Sequence, residues 1–407
     1  MKSWVKILLG LILGLIVGLV LGPKASVFHI FGKAFINLMT MLLGLIVFSS
    51  VVVGICHIRD PKRLGRIGFR TIAFYFSTTI IAASVAIILS KIIKPGEGLS
   101  LISSAVNVNM KQASMSEFLL SLIPANPFAS FSNGNVLQII VFSIFLGIAI
   151  LFTYEKAKPL VKFFESITHT MHTLTHFIMQ LAPYGVFALM ASTVGNIGFK
   201  VIVPLIKFLL CNYAACFIQL IIVYGFALKY LARVKVSNFF KGMKDAIVMA
   251  FTTSSSAATL PVSLECTRKH LGISQDISGF VLSLGSTINA NGGAIGQAVS
   301  AIFIAQAYGI ELGIFKMITL IFVALLSSLG ASGVPGTGLI MMSLVLSVMG
   351  LPLEGIGLLA GVDRLREMLS SVVNIVGDAV AATVIAKSEG EMNQSIYEAA
   401  TWSDSDI

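Results

Sequence analysis

The chain has 407 residues, of which 56% are hydrophobic and only 11% charged. A soluble domain carries about 25% charged residues, so this composition excludes an ordinary soluble protein and points to a polytopic membrane protein. The net charge of +10 sits in short loops between apolar runs. That is the positive-inside bias of a membrane protein, with no folded basic face for nucleic acid. No nucleophile–base pair, phosphate loop or metal cluster stands outside the apolar runs, so nothing suggests an enzyme.

The N-terminal stretch MKSWVKILLGLILGLIVGLVLG resembles a signal peptide. It lacks an A-x-A cleavage site, and its apolar run is nearly long enough to span, so it reads as the first membrane helix. Since a span needs about 20 apolar residues, candidates follow at 4–22, 28–57, 68–94, 119–153, 160–194 and 200–231. His169, His172 and His176 share a helical face, read as an interfacial polar stripe. Cys56, Cys211, Cys216 and Cys266 form no CxxC pair and read as small buried hydrophobes.

Beyond residue 231 the regularity fails. The segment 238–270 turns polar at SSSAAT, 274–308 is interrupted at NANGG, and 312–350 is interrupted at GASGVPGTG. The first and third read as hairpins that dip into the membrane and return, with small residues at the tip where backbone must turn or approach a ligand. Pro261 and Pro335, just past the tips, are placed to begin a second helical arm. Non-helical backbone at membrane depth survives only where protein or a wet cavity covers it, and in transporters such breaks mark the ion and substrate site. Residues 353–387 form a last apolar helix that carries charges. Basic loops at His57–Arg70 and Lys229–Lys244 predict cytoplasmic positions, which puts both termini in the cytoplasm. The acidic tail 389–407 reads as a mobile end.

In the last helix Asp363, Glu367, Ser371, Asn374 and Asp378 recur at intervals of 4, 4, 3 and 4 residues, which places them on one face with Ser370 at its edge. Carboxylates inside a membrane helix are costly unless paired or wetted. Asp378 has no cation within four residues of it in sequence. A carboxylate with the amide oxygens of Asn289 and Asn374, and with carbonyls from unwound backbone around Gly285–Gly292, suits a hard cation. Helix ends at the hairpin tips offer free amides to a substrate carboxylate. Cation ligands beside a carboxylate cradle predict cation-coupled uptake of an amino acid or organic acid, with no cofactor.

These same stretches carry a family resemblance: SSSAATLP, STINANGGA, GASGVPGTG and NIVGD, with LAPYGVFAL, KRLGRIG and KPGEG elsewhere. They resemble the glutamate transporter family, the dicarboxylate/amino acid:cation symporters. The resemblance implies an all-α protein of the inner membrane with eight transmembrane helices and two re-entrant helical hairpins, assembled as a homotrimer. It implies scaffold helices in 1–57 and 119–194 and a transport domain in 195–388 that moves like an elevator, together with the third helix and its flanking loops in 58–118. The second hairpin would be the outer gate.

By resemblance, Gly285, Asn289, Asn374 and Asp378 form one sodium site, and Thr287, Ser328, Leu329 and Ala331 a second. Tyr75 and Thr78 with Asn289 belong to a third, in which Asn291 stands where the family has a carboxylate. Substrate would meet Ser255, Ser256, Gly338, Ser371 and Asn374, with Glu367 facing an amine and Gly293 and Ser370 shaping the side-chain pocket. This chain reads Asn289-Ala290-Asn291-Gly292-Gly293 where the family pattern is Asn-Met-Asp-Gly-Thr, and it has Ser370 where the family has an arginine. These departures predict a neutral amino acid in preference to glutamate or aspartate, unless Arg364 or Arg366 replaces the lost cation. The coupling ion is expected to be Na+, with H+ as the alternative through the Glu367–Asp363 pair. A channel-like anion conductor and a non-transporting sensor are the rival readings.

Overall fold

The computed structural model describes residues 3–56, 63–99, 101, 120, 123–197, 201–330 and 337–398. Regular structure among them is helical, apart from an isolated bridge between Ile273 and Met392. Four described stretches are long and apolar enough to cross a membrane: Leu9–Phe35, Arg66–Ile93, Ile202–Leu231 and Asp363–Glu389.

The helices gather in two groups. In the first, α1 (Ser3–Leu21) and α2 (His29–Cys56) pack with α4 (Val136–Thr153), α5 (Lys158–Gln180) and α6 (Ala182–Ile197). Helix α3 (Arg63–Ile93) belongs to the second group. Glycine spacing sets the closest contact of the first. Gly10, Gly14 and Gly18 recur every four residues on α1, and a Cβ on any of them would strike the carbonyl of Pro183, Phe187 or Ala191 on α6. Small residues on one ridge let two backbones touch, the usual packing of helices in lipid.

In the second group α3 packs on α7 (Ile202–Ile218) and on the second half of a broken helix. Helix α7 runs on to Leu231 through two π-helical stretches, Gln219–Val223 and Ala227–Leu231. Such irregular turns frequently occur at functional sites. The first hairpin is α8 (Lys244–Thr253) and α9 (Ser256–Lys269). At 1.5 Å per residue its arms are about 15 and 21 Å long, short of the ~30 Å hydrocarbon core. Its turn falls at Ser254, a non-glycine residue in the left-handed region with φ 51°. Ser255 then caps α9 by accepting the Ala258 amide at 3.2 Å. The second arm therefore starts at Ser256, not at Pro261, which lies inside α9. A serine cap had already satisfied the requirement the proline was expected to meet. Pro335 lies outside the described residues.

The interruption expected at NANGG is present. Helix α10 (Gln275–Ile288) stops, Asn289 and Ala290 leave helical geometry, and α11 (Asn291–Ala307) begins. Helices α12 (Ile314–Gly330) and α13 (Thr337–Met349) flank the second polar segment. They also touch α2, which brings the two groups together. Helix α14 (Asp363–Glu389) lies at the centre of the second group, against α8, α10 and α11. Four-fifths of its apolar window is buried (83%), against 17% for Leu9–Phe35, so α14 faces protein while the first span faces outward. All four cysteines are buried and unbridged. His169 is exposed on α5, and the side chains of His172 and His176 lie outside the described residues.

One expectation is corrected at the C-terminus. The first part of the tail is docked. Gly390 ends α14 in a left-handed cap. Beyond it the Asn393 amide donates to the Gly272 carbonyl at 2.8 Å, and the Ser274 hydroxyl donates to Glu391 at 2.7 Å. Tyr397 is 2% exposed and donates its hydroxyl to the Lys235 carbonyl at 2.9 Å. Glu389 accepts from Arg66 and Arg70 of α3. Composition alone read this segment as solvated because its polar residues find partners only in three dimensions. Residues 399–407 lie outside the described residues. Tyr397→Ala removes a buried ring and should cost about 3 kcal/mol, in the range of large-to-small core changes. Thermal denaturation of the purified protein measures this, and an unchanged midpoint would contradict the docked tail.

Candidate cation and substrate site

The site is built where α10 breaks beside α14. Asp378, 3% exposed on α14, accepts the Asn289 amide at 2.7 Å. Asn289 also donates to the Asn374 carbonyl at 3.0 Å, and the Asn374 side-chain oxygen accepts the Gly292 amide at 2.8 Å. The broken backbone is thus held by two asparagines, one on each element. Gly285 is required by proximity: a Cβ there would overlap both the Asp378 carboxylate and the Tyr75 hydroxyl. Gly285, Asn289, Asn374 and Asp378, read from sequence as one cation site, therefore stand together. The Asn289 side-chain oxygen is buried without a hydrogen-bond partner. A buried acceptor left unmade costs about 1–3 kcal/mol unless something fills it, and a cation is the chemistry that suits an amide oxygen beside a carboxylate.

Asn291 has a different surrounding. Its amide nitrogen donates to Thr78 at 3.0 Å and to Tyr224 at 2.7 Å, and its oxygen accepts from Thr79. Tyr224, set between the two π-helical stretches, donates onward to the Val373 carbonyl at 3.1 Å. Tyr75 turns its hydroxyl to the Val281 carbonyl at 3.0 Å. The residues read as a third cation site are neighbours, but a neutral network joins Asn291 to Thr78, Thr79 and Tyr224. Tyr224 and Thr79 were missed from sequence. Tyr224 is a lone polar group in an apolar run and Thr79 is the neighbour of Thr78, and neither carries a spacing signal of its own.

The second sodium site falls largely beyond reach. Ala331 lies outside the described residues, as do the side chains of Thr287, Ser328 and Leu329.

A cavity of about 60 Å³ lies above the Asp378 cluster. It is lined by Ser254 and Ser256 from the first hairpin, Ser286, Asn289, Ala290, Gly293 and Gln297 from the broken helix, and Gly338 and Met341 from α13. Helix α14 supplies Arg366, Glu367, Ser370, Ser371 and Asn374. The expected substrate residues converge here, except that Ser255 serves as the α9 cap and does not line the cavity.

Of the two arginines that the sequence left open as a replacement for the cation missing at Ser370, Arg366 lines the cavity. It is 3% exposed and donates to Asp363 through Nε at 2.7 Å and Nη2 at 2.6 Å. Glu367 stands 3.9 Å from the same Nη2. A long side chain carries its charge sideways from its own Cα, which a count of helical angles ignores. Arg364 goes elsewhere and donates to the Thr253 carbonyl at the end of α8 at 2.8 Å.

A buried carboxylate, unwound backbone and a polar cavity inside an apolar helical assembly define an integral membrane transporter. Residues 4–388 match the Sodium:dicarboxylate symporter family, and the chain belongs to it. The proton/sodium-glutamate symport protein of Bacillus subtilis strain 168 is 36% identical over 376 residues, covering 90% of this chain and 87% of that protein. The proton/glutamate-aspartate symporter of Escherichia coli K12 is 36% identical over 375 residues, 89% of this chain and 85% of that protein. A C4-dicarboxylate transport protein of Bacillus subtilis is 31% identical over 372 residues, 89% and 88% of the two chains. None of these names supports the expected preference for neutral amino acids. Its basis was the absence of a cation at Ser370, and the Arg366 guanidinium reaches the same cavity.

Gly292 tests the geometry. A Cβ there would lie 2.5 Å from Ser370 Cα and 2.6 Å from its carbonyl carbon, both backbone atoms that cannot turn aside. Gly292→Ala should abolish substrate uptake by vesicles containing correctly inserted protein. Uptake at the unsubstituted rate would contradict the close approach of α11 to α14.

Proposed function

We propose that the chain is a secondary active symporter that couples movement of a small acidic substrate, glutamate-like or a C4-dicarboxylate, to Na+, with H+ as the alternative ion. The observation that carries the reading is Asp378, buried with Asn289 and Asn374 directly beneath a polar cavity. A buried carboxylate is costly when it stands without a positive partner. A cation arriving with substrate relieves that cost, and this makes the binding of the two mutually favourable. The names of the relatives support the acidic class of substrate.

In this reading Gly285, Asn289, Asn374 and Asp378 hold the coupling cation, and Ser256, Gly338 and Ser371 face the substrate. Thr287, Ser328, Leu329 and Ala331 hold a second cation. The neutral network around Asn291 supports a smaller ion count, because an amide satisfied by Thr78, Thr79 and Tyr224 offers no negative charge to a further cation. Helices of the first group form a trimeric scaffold, and the second group is the moving transport domain with the second hairpin as its outer gate. The protein works in a bacterial inner membrane with both termini in the cytoplasm.

Uptake into proteoliposomes tests this directly. A Na+ gradient and a pH gradient are imposed separately, with glutamate, aspartate, succinate and neutral amino acids as substrates. Concentrative uptake of an acidic substrate under one gradient is expected, and its absence under both would overturn the reading. Asp378→Asn should abolish the cation stimulation, at least about a hundredfold in rate if the lost interaction is worth ~3 kcal/mol. The reversal potential of transport should correspond to fewer than three Na+ per substrate.

A further inference from the structure

We infer that Arg366, held in place by Asp363, is the counter-charge for the second carboxylate of the substrate and so the residue that sets acidic over neutral specificity. The inference rests on the transport reading above and names the group on which its substrate class depends.

Arg366 is the single lysine or arginine among the residues lining the cavity. Burying a guanidinium costs several kcal/mol, and a partner with good geometry is needed to offset it. Asp363 is that partner, but it engages only one edge, taking Nε and Nη2 on the same oxygen. An arginine has five N–H donors in a planar fork matched to carboxylates. Glu367 at 3.9 Å is beyond hydrogen-bond reach of Nη2.

Two glycines make room for the group. At Gly296 a Cβ would collide with Nη1, and at Gly338 it would lie 2.7 Å from Nη2. Gly338 also lies in the first turn of α13, and its amide donates to the Glu367 carboxylate, which holds that carboxylate beside the fork. Arg366, Glu367 and Gly338 border the same cavity. The edge of the fork that Asp363 does not engage matches an acidic side chain in charge and a neutral one only in part. Ser370, the position where sequence reading sought the charge, is one helical turn further along α14.

Specificity constants in proteoliposomes test the assignment, with glutamate, succinate and glutamine as substrates. The double variant Asp363→Asn/Arg366→Gln removes both members of the pair, so neither is left as a lone buried charge, while Glu367 keeps its hydrogen bond from the Gly338 amide. It should lower kcat/KM for glutamate and succinate by about 10²–10³-fold, as expected for losing a buried charged hydrogen-bond partner. Its kcat/KM for glutamine should stay within about threefold of the parent, since random distortion would lower both. Should the double variant fail to insert, Arg366→Lys keeps the charge and loses the fork, and should raise KM for glutamate about tenfold without changing that for glutamine. A glutamate constant unchanged in either inserted variant would overturn the role of Arg366 and leave the transport reading standing. A parent protein that concentrates only neutral substrates would instead overturn the acidic substrate class, and this inference with it.

Discussion

Everything in the second helix group is arranged around one costly object, the carboxylate of Asp378 in the middle of a membrane-spanning helix. No lysine or arginine pairs with it among the described residues; its hydrogen bonds come from Asn289 and Tyr75. Such a group is tolerated where it is paired, hydrogen-bonded or wetted. The broken helix answers that need. Unwinding at Asn289 and Ala290 brings the Asn289 side chain against Asp378, and the side-chain oxygen of Asn289 has no partner. The break itself is stabilised by the Asn374–Gly292 bond, so the ligand set and the irregular backbone depend on one another.

Glycine is what makes the approach possible. Gly285 admits Asp378, Gly292 admits the backbone of α14 at Ser370, and Gly296 admits Arg366. Each is needed because another group occupies the volume of its Cβ, not because its backbone is left-handed. The two charged clusters on α14 are then separated along the helix. Asp378 lies below the cavity among neutral amides, while Asp363 and Arg366 neutralise one another at its edge.

Much of this was legible in the residues. The spacing of Asp363, Glu367, Ser371, Asn374 and Asp378 placed them on one face, and the structure brings four of the five to the cavity or the cluster beneath it. The polar interruptions at SSSAAT and NANGG correspond to the turn at Ser254 and the break after Ile288. What was not legible depended on reach and on distant partners. Arg366 could not be told from Arg364 as a replacement for the lost cation, because both Cα atoms lie off the face and only the side chain of Arg366 reaches the cavity. Tyr224 and Thr79 carry no periodic signal, and their role appears only when α3, α7 and α11 meet. The docking of Tyr397 depends on Lys235 and Asn238, more than 150 residues earlier in the chain.

The central claim is that the Asp378 cluster is a cation site whose occupancy is linked to that of the cavity above it. The most direct measurement is the thermal stability of the purified protein titrated with Na+, at several fixed pH values, with and without glutamate. The account predicts that Na+ or protons raise the midpoint and that saturating glutamate shifts the cation midpoint to lower concentration, as reciprocal linkage requires. A melting temperature insensitive to both cations, with glutamate binding independent of either, would contradict it.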